Sequence, residues 1–298
     1  MAHRNILFVI NPISGNTDKS FLLDLIKEKN RAPDYTFSIY ETTGKNDAEK
    51  IQSEIDRLKP ETVVAAGGDG TVRLVASLLV NTSVSLGIIP MGSANGMAFE
   101  LNLPSQVSQG LQLILEGKTR KIDAILINGQ SFSFHLSDLG INSRIIKGFD
   151  EDNRRGFLGY LRSFIKESKH MQRFRCTIET DQKKIRHKAV MVVIANGSYY
   201  GTGANINPTG VLTDGRFEII LVKPHSWGLM FKLSVAFFTR SLHKHEATRI
   251  VSCKRAEISI QPKQFLQIDG ELQAETNHVS AEILPRAIEV ITGNNSIE

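Results

Sequence analysis

Gly67-Gly68-Asp69-Gly70-Thr71 follows the apolar run Val63-Val64-Ala65-Ala66 and leads into Val72-Arg73-Leu74-Val75-Ala76, whose apolar residues have helical spacing. Glycines at a strand-to-helix junction admit positive φ and let a ligand approach bare backbone. Amide groups at the following helix N-terminus point at an anion, aided by the helix dipole. Such a turn suits phosphate. Asp69 adds a carboxylate, which repels phosphate unless a metal ion or a proton transfer gives it a role. The acid therefore points toward phosphoryl chemistry rather than passive phosphate holding.

Two further turns have related composition. The apolar run Ile6–Ile10 ends in Asn11-Pro12-Ile13-Ser14-Gly15-Asn16, where proline stops the strand and Ser-Gly makes a turn. Leu86–Ile89 ends in Pro90-Met91-Gly92-Ser93-Ala94-Asn95-Gly96, with a helix expected after it. Each is weak alone, but three such turns are hard to explain as structure only. Near the C-terminus, Phe265–Ile268 runs into Asp269-Gly270-Glu271. Asp-Gly between strands signals a type I′ hairpin. Equally, a carboxylate here would serve a hydroxyl acceptor, which must lose its proton during phosphoryl transfer. Asp214-Gly215 presents the same choice between turn and metal ligand. Asp138, in Leu136-Ser137-Asp138-Leu139-Gly140, reads either as a surface or capping acid or as a reader of an amine head group.

The chain has no GxxxxGK[ST] loop, no well-placed GxGxxG, no GxSxG and no HExxH, which weighs against P-loop NTPases, dinucleotide oxidoreductases, serine hydrolases and zinc proteases. His243 and His245 lack a third ligand, and Asp150-Glu151-Asp152-Asn153 lacks the rest of a calcium loop.

The elements that must position these residues change character along the chain. Apolar or helical segments at 5–10, 18–30, 35–41, 45–58, 62–66, after Thr71 and at 86–89 alternate as strand and helix. That order predicts a parallel sheet with helices on both faces, whose ligand-binding edge gathers the three turns. From about residue 120, strand-like runs separated by turns predict an antiparallel sandwich: Ala124–Asn128, Phe174–Glu179, Ala189–Ala195, Phe217–Val222, Glu257–Ile260 and Val279–Leu284. Two amphipathic, basic helical stretches, 154–171 and 226–243, interrupt it; such helices either pack on their own sheet or lie on a membrane interface.

The 298 residues, 41% hydrophobic and 22% charged, suit one large or two ordinary globular domains. No apolar run approaches the roughly 18 needed to span a bilayer. Two distant cysteines, Cys176 and Cys253, favour a reducing compartment over a disulfide framework. The net charge of +5 is uneven: residues 1–117 carry 10 Lys and Arg against 13 Asp and Glu, and residues 118–298 carry 26 against 18. A basic second half suits an anionic membrane surface, or is a solvated face.

Taken in order, NPxSG, GGDGT, PxGSxN, a later DG and a final DGE, the chain resembles the diacylglycerol kinase catalytic family, with the soluble bacterial lipid kinases and the sphingosine and ceramide kinases among its relatives. The resemblance implies an α/β domain over 1–120, similar to NAD kinases and phosphofructokinases. It also implies a β-sandwich lipid-substrate domain over 121–298, with the last strand returning to the first domain and ATP between the two. It implies an ATP- and Mg²⁺-dependent lipid kinase acting on a diacylglycerol-like or sphingoid-like hydroxyl. The alternatives are a soluble-substrate kinase of the NAD kinase type and a catalytically weak nucleotide- or lipid-binding relative.

Carried over by position, the nucleotide contacts are Asn11, Pro12, Ile13, Ser14, Gly15, Thr42, Gly67, Gly68, Asp69, Gly70, Thr71, Val72, Arg73, Gly92, Ser93 and Asn95. Asp269 is the general base, Glu271 supports it, and Asp214 is a metal ligand. The expected setting is cytoplasmic and peripheral at the inner, anionic membrane surface, with no nucleic acid partner and a homodimer allowed. The chain departs from the family pattern at Gly96, where an acid is common, at Asn16, where a lysine often follows NPxSG, and at Thr213, where many relatives have Asp.

Overall fold

The computed structural model describes residues 3–16, 18–30, 34–140, 173–199, 205–223 and 248–293. The stretches 154–171 and 226–243, with Asp150–Asn153, His243 and His245, lie outside the described residues. Two units follow from the packing: Met1–Ile122 with Arg286–Glu298, and Asp123–Pro285. The chain passes from the first to the second within one strand and returns within another.

In the first unit, strands β1 (Arg4–Ile10), β2 (Tyr35–Glu41), β3 (Thr62–Gly67) and β4 (Ser85–Pro90) alternate with helices α1 (Ser20–Lys29), α2 (Asp47–Leu58) and α3 (Asp69–Leu79). Helices α4 (Gly96–Glu100) and α5 (Val107–Glu116) follow. The strands are parallel, in the order β2-β1-β3-β4. Both faces are covered, so β3 is buried along its whole length, as the run Thr-Val-Val-Ala-Ala-Gly anticipates. Ile6, Phe8 and Ile10 face α1 and α5 through Leu22, Ile26, Leu111 and Ile114. Phe8 is fully buried and meets Phe37 edge-on at 5.6 Å. Large side chains at such positions contribute about 1.5–3 kcal/mol each by burial. On α2, Ile51 and Ile55 are one turn apart and both buried, which gives this otherwise polar helix its single apolar stripe.

Strand β5 (Lys118–Ile127) leads into the second unit. There β6 (Ser131–Ser133), β7 (Leu136–Gly140), β8 (Phe174–Thr180), β9 (Lys184–Ala189), β10 (Met191–Ala195), β11 (Phe217–Val222), β12 (Thr248–Cys253) and β13 (Arg255–Ile268) precede the long β14 (Glu271–Thr292). Strands β12-β11-β10-β7 form an antiparallel run. Strand β13 joins two layers. Its first half pairs with β8, which pairs with β9, and its last three residues pair with β7. A register break between Ser259 and Gln264 separates the halves, as expected where a strand switches sheets. One core lies between the layers, with Phe174, Cys176, Ile178 and Ile185 packed in the same cluster as Val192, Ile194, Phe217 and Ile219. This is the expected α/β domain followed by a β-sandwich. Strand β14 ends in the first unit, where Glu289 and Val290 pair in parallel with Ser85 and Leu86 of β4.

Candidate functional site

Parallel pairing brings the carboxyl ends of the first four strands to one edge. Ile10 lies beside Glu41 and Ala66, and Gly67 beside Pro90. The residues that follow, Asn11, Thr42, Gly68 and Met91, therefore leave the sheet together. The backbone stitches them: Asn11 N–H donates to Ala66 O at 3.0 Å, Thr42 N–H to Ile10 O at 2.9 Å and Met91 N–H to Gly67 O at 2.8 Å.

The three turns then pack on one another through missing side chains. Gly15 has φ +61°, and a Cβ on it would stand 2.3 Å from Met91 O. A Cβ on Gly92 would stand 2.4 Å from Gly68 Cα and 2.8 Å from Asn95 Oδ1. Glycine is thus required at both places by the neighbouring turn, a constraint that spacing alone does not reveal. Side chains complete the junction. Asn11 Nδ2 donates to Thr71 Oγ1 at 3.2 Å, tying the first turn to the second. Asn95, itself left-handed at φ 54°, accepts from Gly92 N–H at 2.8 Å and donates back to Gly92 O at 2.9 Å. Asp69 Oδ1 accepts from Met97 N–H at 3.3 Å, tying the second turn to the start of α4. The acid in the glycine turn is thus engaged in holding the third turn.

Other predicted contacts divide by exposure. Pro12, Ile13 and Ser93 are exposed, with Ile13 77% accessible, while Ser14, Thr42, Gly70 and Arg73 are half-buried. Val72 and Thr71 are buried, and both their amides are turned inward to Gly68 O at 3.0 Å, so Thr71 contributes through its hydroxyl to Asn11 and Val72 through packing. The first turn of α3 presents the remaining N-terminal amides that no helical carbonyl can take.

Two supporting residues escaped the sequence reading. Lys19, at the entrance to α1, is buried, and its Nζ donates to Ser14 O at 2.6 Å, bracing the first turn. Burial pushes its ammonium below the usual value, opposed by Asp18. The loop that lacks a lysine directly after Gly15 has one four residues on. Lys19→Met is expected to cost about 1 kcal/mol of stability, the effect of one lost hydrogen bond to the turn, measured by denaturant melts of variant and wild type.

Asp47 shapes the Thr42 turn. It accepts from Tyr40 OH at 2.7 Å, Thr43 N–H at 2.9 Å and Gly44 N–H at 2.7 Å. Burial would raise its pKa, but these donors outweigh burial and hold it below the ordinary value of 3.8. Burial, then the neighbouring carboxylate, pushes the Tyr40 hydroxyl up to about 12. A lowered carboxyl stabilises the fold above its unfolded pKa and loses that contribution as pH falls. Asp47→Asn should therefore cost about 1–2 kcal/mol at pH 7, and the gap in melting temperature should begin to narrow only as pH falls below about 4, closing once pH lies below the lowered folded pKa.

In the second unit, Asp269 and Gly270 have φ of 47° and 90°, and Ile268 pairs with Glu271, so the hairpin reading of Asp-Gly is realised. The carboxylate is also held. Oδ1 accepts from Ser133 Oγ at 2.9 Å, His135 N–H at 3.1 Å and Leu136 N–H at 3.0 Å, and Oδ2 accepts from Phe134 N–H at 2.8 Å. A carboxylate has about four lone-pair positions, and Oδ1 is fully engaged, so an incoming hydroxyl has only Oδ2 to approach. Ser137 Oγ, 2.9 Å from Ser133 Oγ, extends the chain of hydroxyls inward. Gln267 is a second brace, accepting from Gly270 N–H at 2.7 Å and donating to Asp138 Oδ2 at 2.6 Å. Glu271 is exposed at the start of β14.

Asp138 is not a surface acid: it is fully buried in β7, registered opposite Val193 and Gln267, where a strand covered on both faces buries polar and apolar side chains alike. Asp214 is exposed, with its Oδ1 accepting from Arg216 N–H at 2.9 Å, while the buried Asp123 accepts from Gly215 N–H at 2.7 Å. No group of three metal-ligating side chains occurs among the described residues.

A parallel sheet with a glycine-lined edge, followed by an antiparallel sandwich, defines a class of phosphotransferases, and the comparisons place the chain within it. Residues 5–127 match the diacylglycerol kinase catalytic domain, and residues 138–292 match the YegS C-terminal NAD kinase beta sandwich-like domain. The chain belongs to this lipid kinase family. It is 27% identical to a protein of Pectobacterium atrosepticum named "Probable lipid kinase YegS-like", over 95% of this chain and 94% of that one. It is also 28% identical to the protein of that name from Enterobacter, over 83% of each. Among solved structures, a diacylglycerol kinase from Bacillus anthracis superposes with TM-score 0.75 over all of both chains at 21% identity. An NAD kinase from Archaeoglobus fulgidus in complex with ATP superposes at 0.57 over 97% of this chain and 94% of that one, at 11% identity. These two show the shared fold. Among the described residues no helix is long and apolar enough to cross a membrane.

Proposed function

We propose that this protein is an ATP-dependent lipid kinase that transfers the γ-phosphoryl group to the hydroxyl of a membrane-derived lipid, diacylglycerol-like or sphingoid-like. The observation that carries the reading is the mutual locking of three glycine turns at one sheet edge, in a chain of the lipid kinase family. The Cβ positions of Gly68 and Gly92 are filled by each other's turn, so the turns pack as bare backbone beside the N-terminus of α3, and backbone of this kind at a helix N-terminus suits the phosphates of a nucleoside triphosphate. ATP supplies the phosphoryl group and its leaving oxygen. The first turn of α3 binds and orients the phosphates through its N-terminal amides. The Asn11–Gly15 turn, whose Asn11, Ile13 and Ser14 amides are bonded within the protein, forms the wall beside them, and Arg73 on α3 adds a cation. No group of three metal-ligating side chains occurs among the described residues, so a Mg²⁺ ion would be held chiefly by the nucleotide's phosphates and water, as this ion commonly is, with Asp69 the acid of the glycine turn, and would supply charge neutralisation.

Asp269 receives the lipid hydroxyl proton on Oδ2, the oxygen with capacity left. Its fixed orientation, set by four donors, aims that lone pair without reorganisation. Glu271 contributes negative charge beside it. Phosphoryl transfer asks little covalent chemistry of the protein, so positioning and charge neutralisation dominate.

The test is ATP turnover with mixed micelles of diacylglycerols, monoacylglycerols, phosphatidylglycerol and sphingoid bases, with NAD in detergent-free buffer as the contrasting substrate. Phosphorylation of at least one lipid supports the reading. Turnover on NAD alone would assign the NAD kinase type of reaction, and ATP binding without transfer to any acceptor would mark a binding protein.

A further inference from the structure

The outer face of the sheet β9-β8-β13-β14 sorts its charges. Registered pairing places Lys184, Arg186 and Lys188 of β9 opposite Glu179, Thr177 and Arg175 of β8. Thr177 and Glu179 in turn lie opposite Ser259 and Glu257 of β13. At one end each acid has a basic side chain beside it: Lys184 with Glu179, His278 with Glu257 at 2.9 Å, and Arg255 with Glu282 at 2.5 Å. Arg175, Arg186 and Lys188 remain at the other end, all exposed, with exposed Arg173 just before β8. No ion pair to these four occurs among the described residues. Arg175 and Lys188 stand directly opposite each other, a like-charge pairing that destabilises an antiparallel sheet. Edge protection needs a charge on β9, but not a second cation facing it from β8.

We propose that this cationic corner of the β8–β9 hairpin docks the protein on an anionic phospholipid bilayer. The proposal rests on the lipid kinase reading, since an enzyme whose acceptor lies in a membrane gains from being held there. Charge is the complementary feature: Arg175, Arg186 and Lys188 offer three unneutralised cations on one pleated face, and phosphatidylglycerol-like head groups offer a sheet of anions. The side chains on this face include no Phe, Tyr or Trp, so the attachment is electrostatic, reversible and screened by salt. The lack of stacking platforms disfavours single-stranded nucleic acid as the occupant. Docking concentrates the enzyme on its substrate surface and leaves the chemistry to Asp269 and the nucleotide turns.

The experiment is co-sedimentation of the full chain with phosphatidylcholine vesicles, with and without about a third phosphatidylglycerol, for wild type and for Arg175→Gln/Arg186→Gln/Lys188→Gln. At about one kcal/mol per cation near such a surface, the triple variant should partition onto anionic vesicles about a hundredfold less than wild type. Wild-type partition should also fall steeply between 50 and 500 mM salt, roughly tenfold or more. Thermal melts of the variant should equal or slightly exceed wild type, since the Arg175–Lys188 repulsion is removed, and turnover on lipid in neutral detergent micelles should match between the two proteins. Equal vesicle binding by variant and wild type would overturn the proposal, as would wild-type binding indifferent to phosphatidylglycerol. Retention on duplex DNA in place of vesicles would overturn it in favour of a nucleic acid. If neither protein phosphorylates any lipid in micelles yet the binding difference holds, the lipid kinase reading fails and the docking surface stands.

Discussion

Gly92→Ala will separate the three turns and reduce kcat/KM for ATP by about a hundredfold, the scale set by displacing a positioned group by roughly an ångström. The added Cβ would stand 2.4 Å from Gly68 Cα and 2.8 Å from Asn95 Oδ1. Neither contact can relax by rotating a flexible side chain, because the first is backbone and the second is the amide that clamps Gly92 from both sides. The turn must move away from α3, carrying Met91 with it, and Gly15 rests on Met91 O. Overpacking of this kind costs about 1–3 kcal/mol, so the protein should stay folded while losing nucleotide. Isothermal titration with ATP, beside a thermal melt, separates the two effects. Affinity equal to wild type would show that the turns do not bind nucleotide as one unit.

Asp269→Asn should lower turnover on lipid by about two to four orders of magnitude with little change in ATP affinity, because the phosphate turns belong to the other unit. The variant also carries a structural cost. The carboxylate accepts four donors, and an amide has a single acceptor oxygen. With that oxygen turned to Ser133, His135 and Leu136, the NH₂ group must face the Phe134 N–H, donor against donor. Leaving buried donors unmatched costs about 1–3 kcal/mol. Ser133→Ala is the control, since it removes one of the four donors and keeps the carboxylate. It should melt slightly lower and retain most turnover. If both variants lose activity in proportion to stability, Asp269 is an anchor for the Phe132–Leu136 segment and not a base.

The first unit was legible because its signals are local. Apolar runs, a helical period on Ile51 and Ile55, and glycine-rich strand ends each mark an element, and a parallel order follows from their alternation. The carboxyl edge that collects the turns after Ile10, Ala66 and Ile89 followed from topology, whereas Thr42 was placed there only by the family resemblance. Less was visible in the second unit, where meaning depends on long-range pairing. Asp138 lies in a polar-apolar segment that suits a surface as well as a core, and only its partner Gln267, about 130 residues later, decides the matter. The same holds for Asp269: Asp-Gly announced a hairpin, but its four donors come from residues 133–136. Lys19 went unnoticed because a lysine at a helix entrance is ordinarily solvated, and nothing local shows that it folds back on Ser14. The charge sorting on the β8–β9 hairpin was visible only as a basic half-chain until registered pairing separated matched from unmatched cations.

The measurement that bears most directly on the central claim is transfer of a radiolabelled γ-phosphoryl group from ATP into an organic-phase product, in mixed micelles, by wild type and Asp269→Asn side by side. Label in a lipid product, formed at least about a hundredfold faster by wild type than by the variant, is the predicted result. Label confined to the aqueous phase, or equal rates from a folded Asp269→Asn protein, would contradict it.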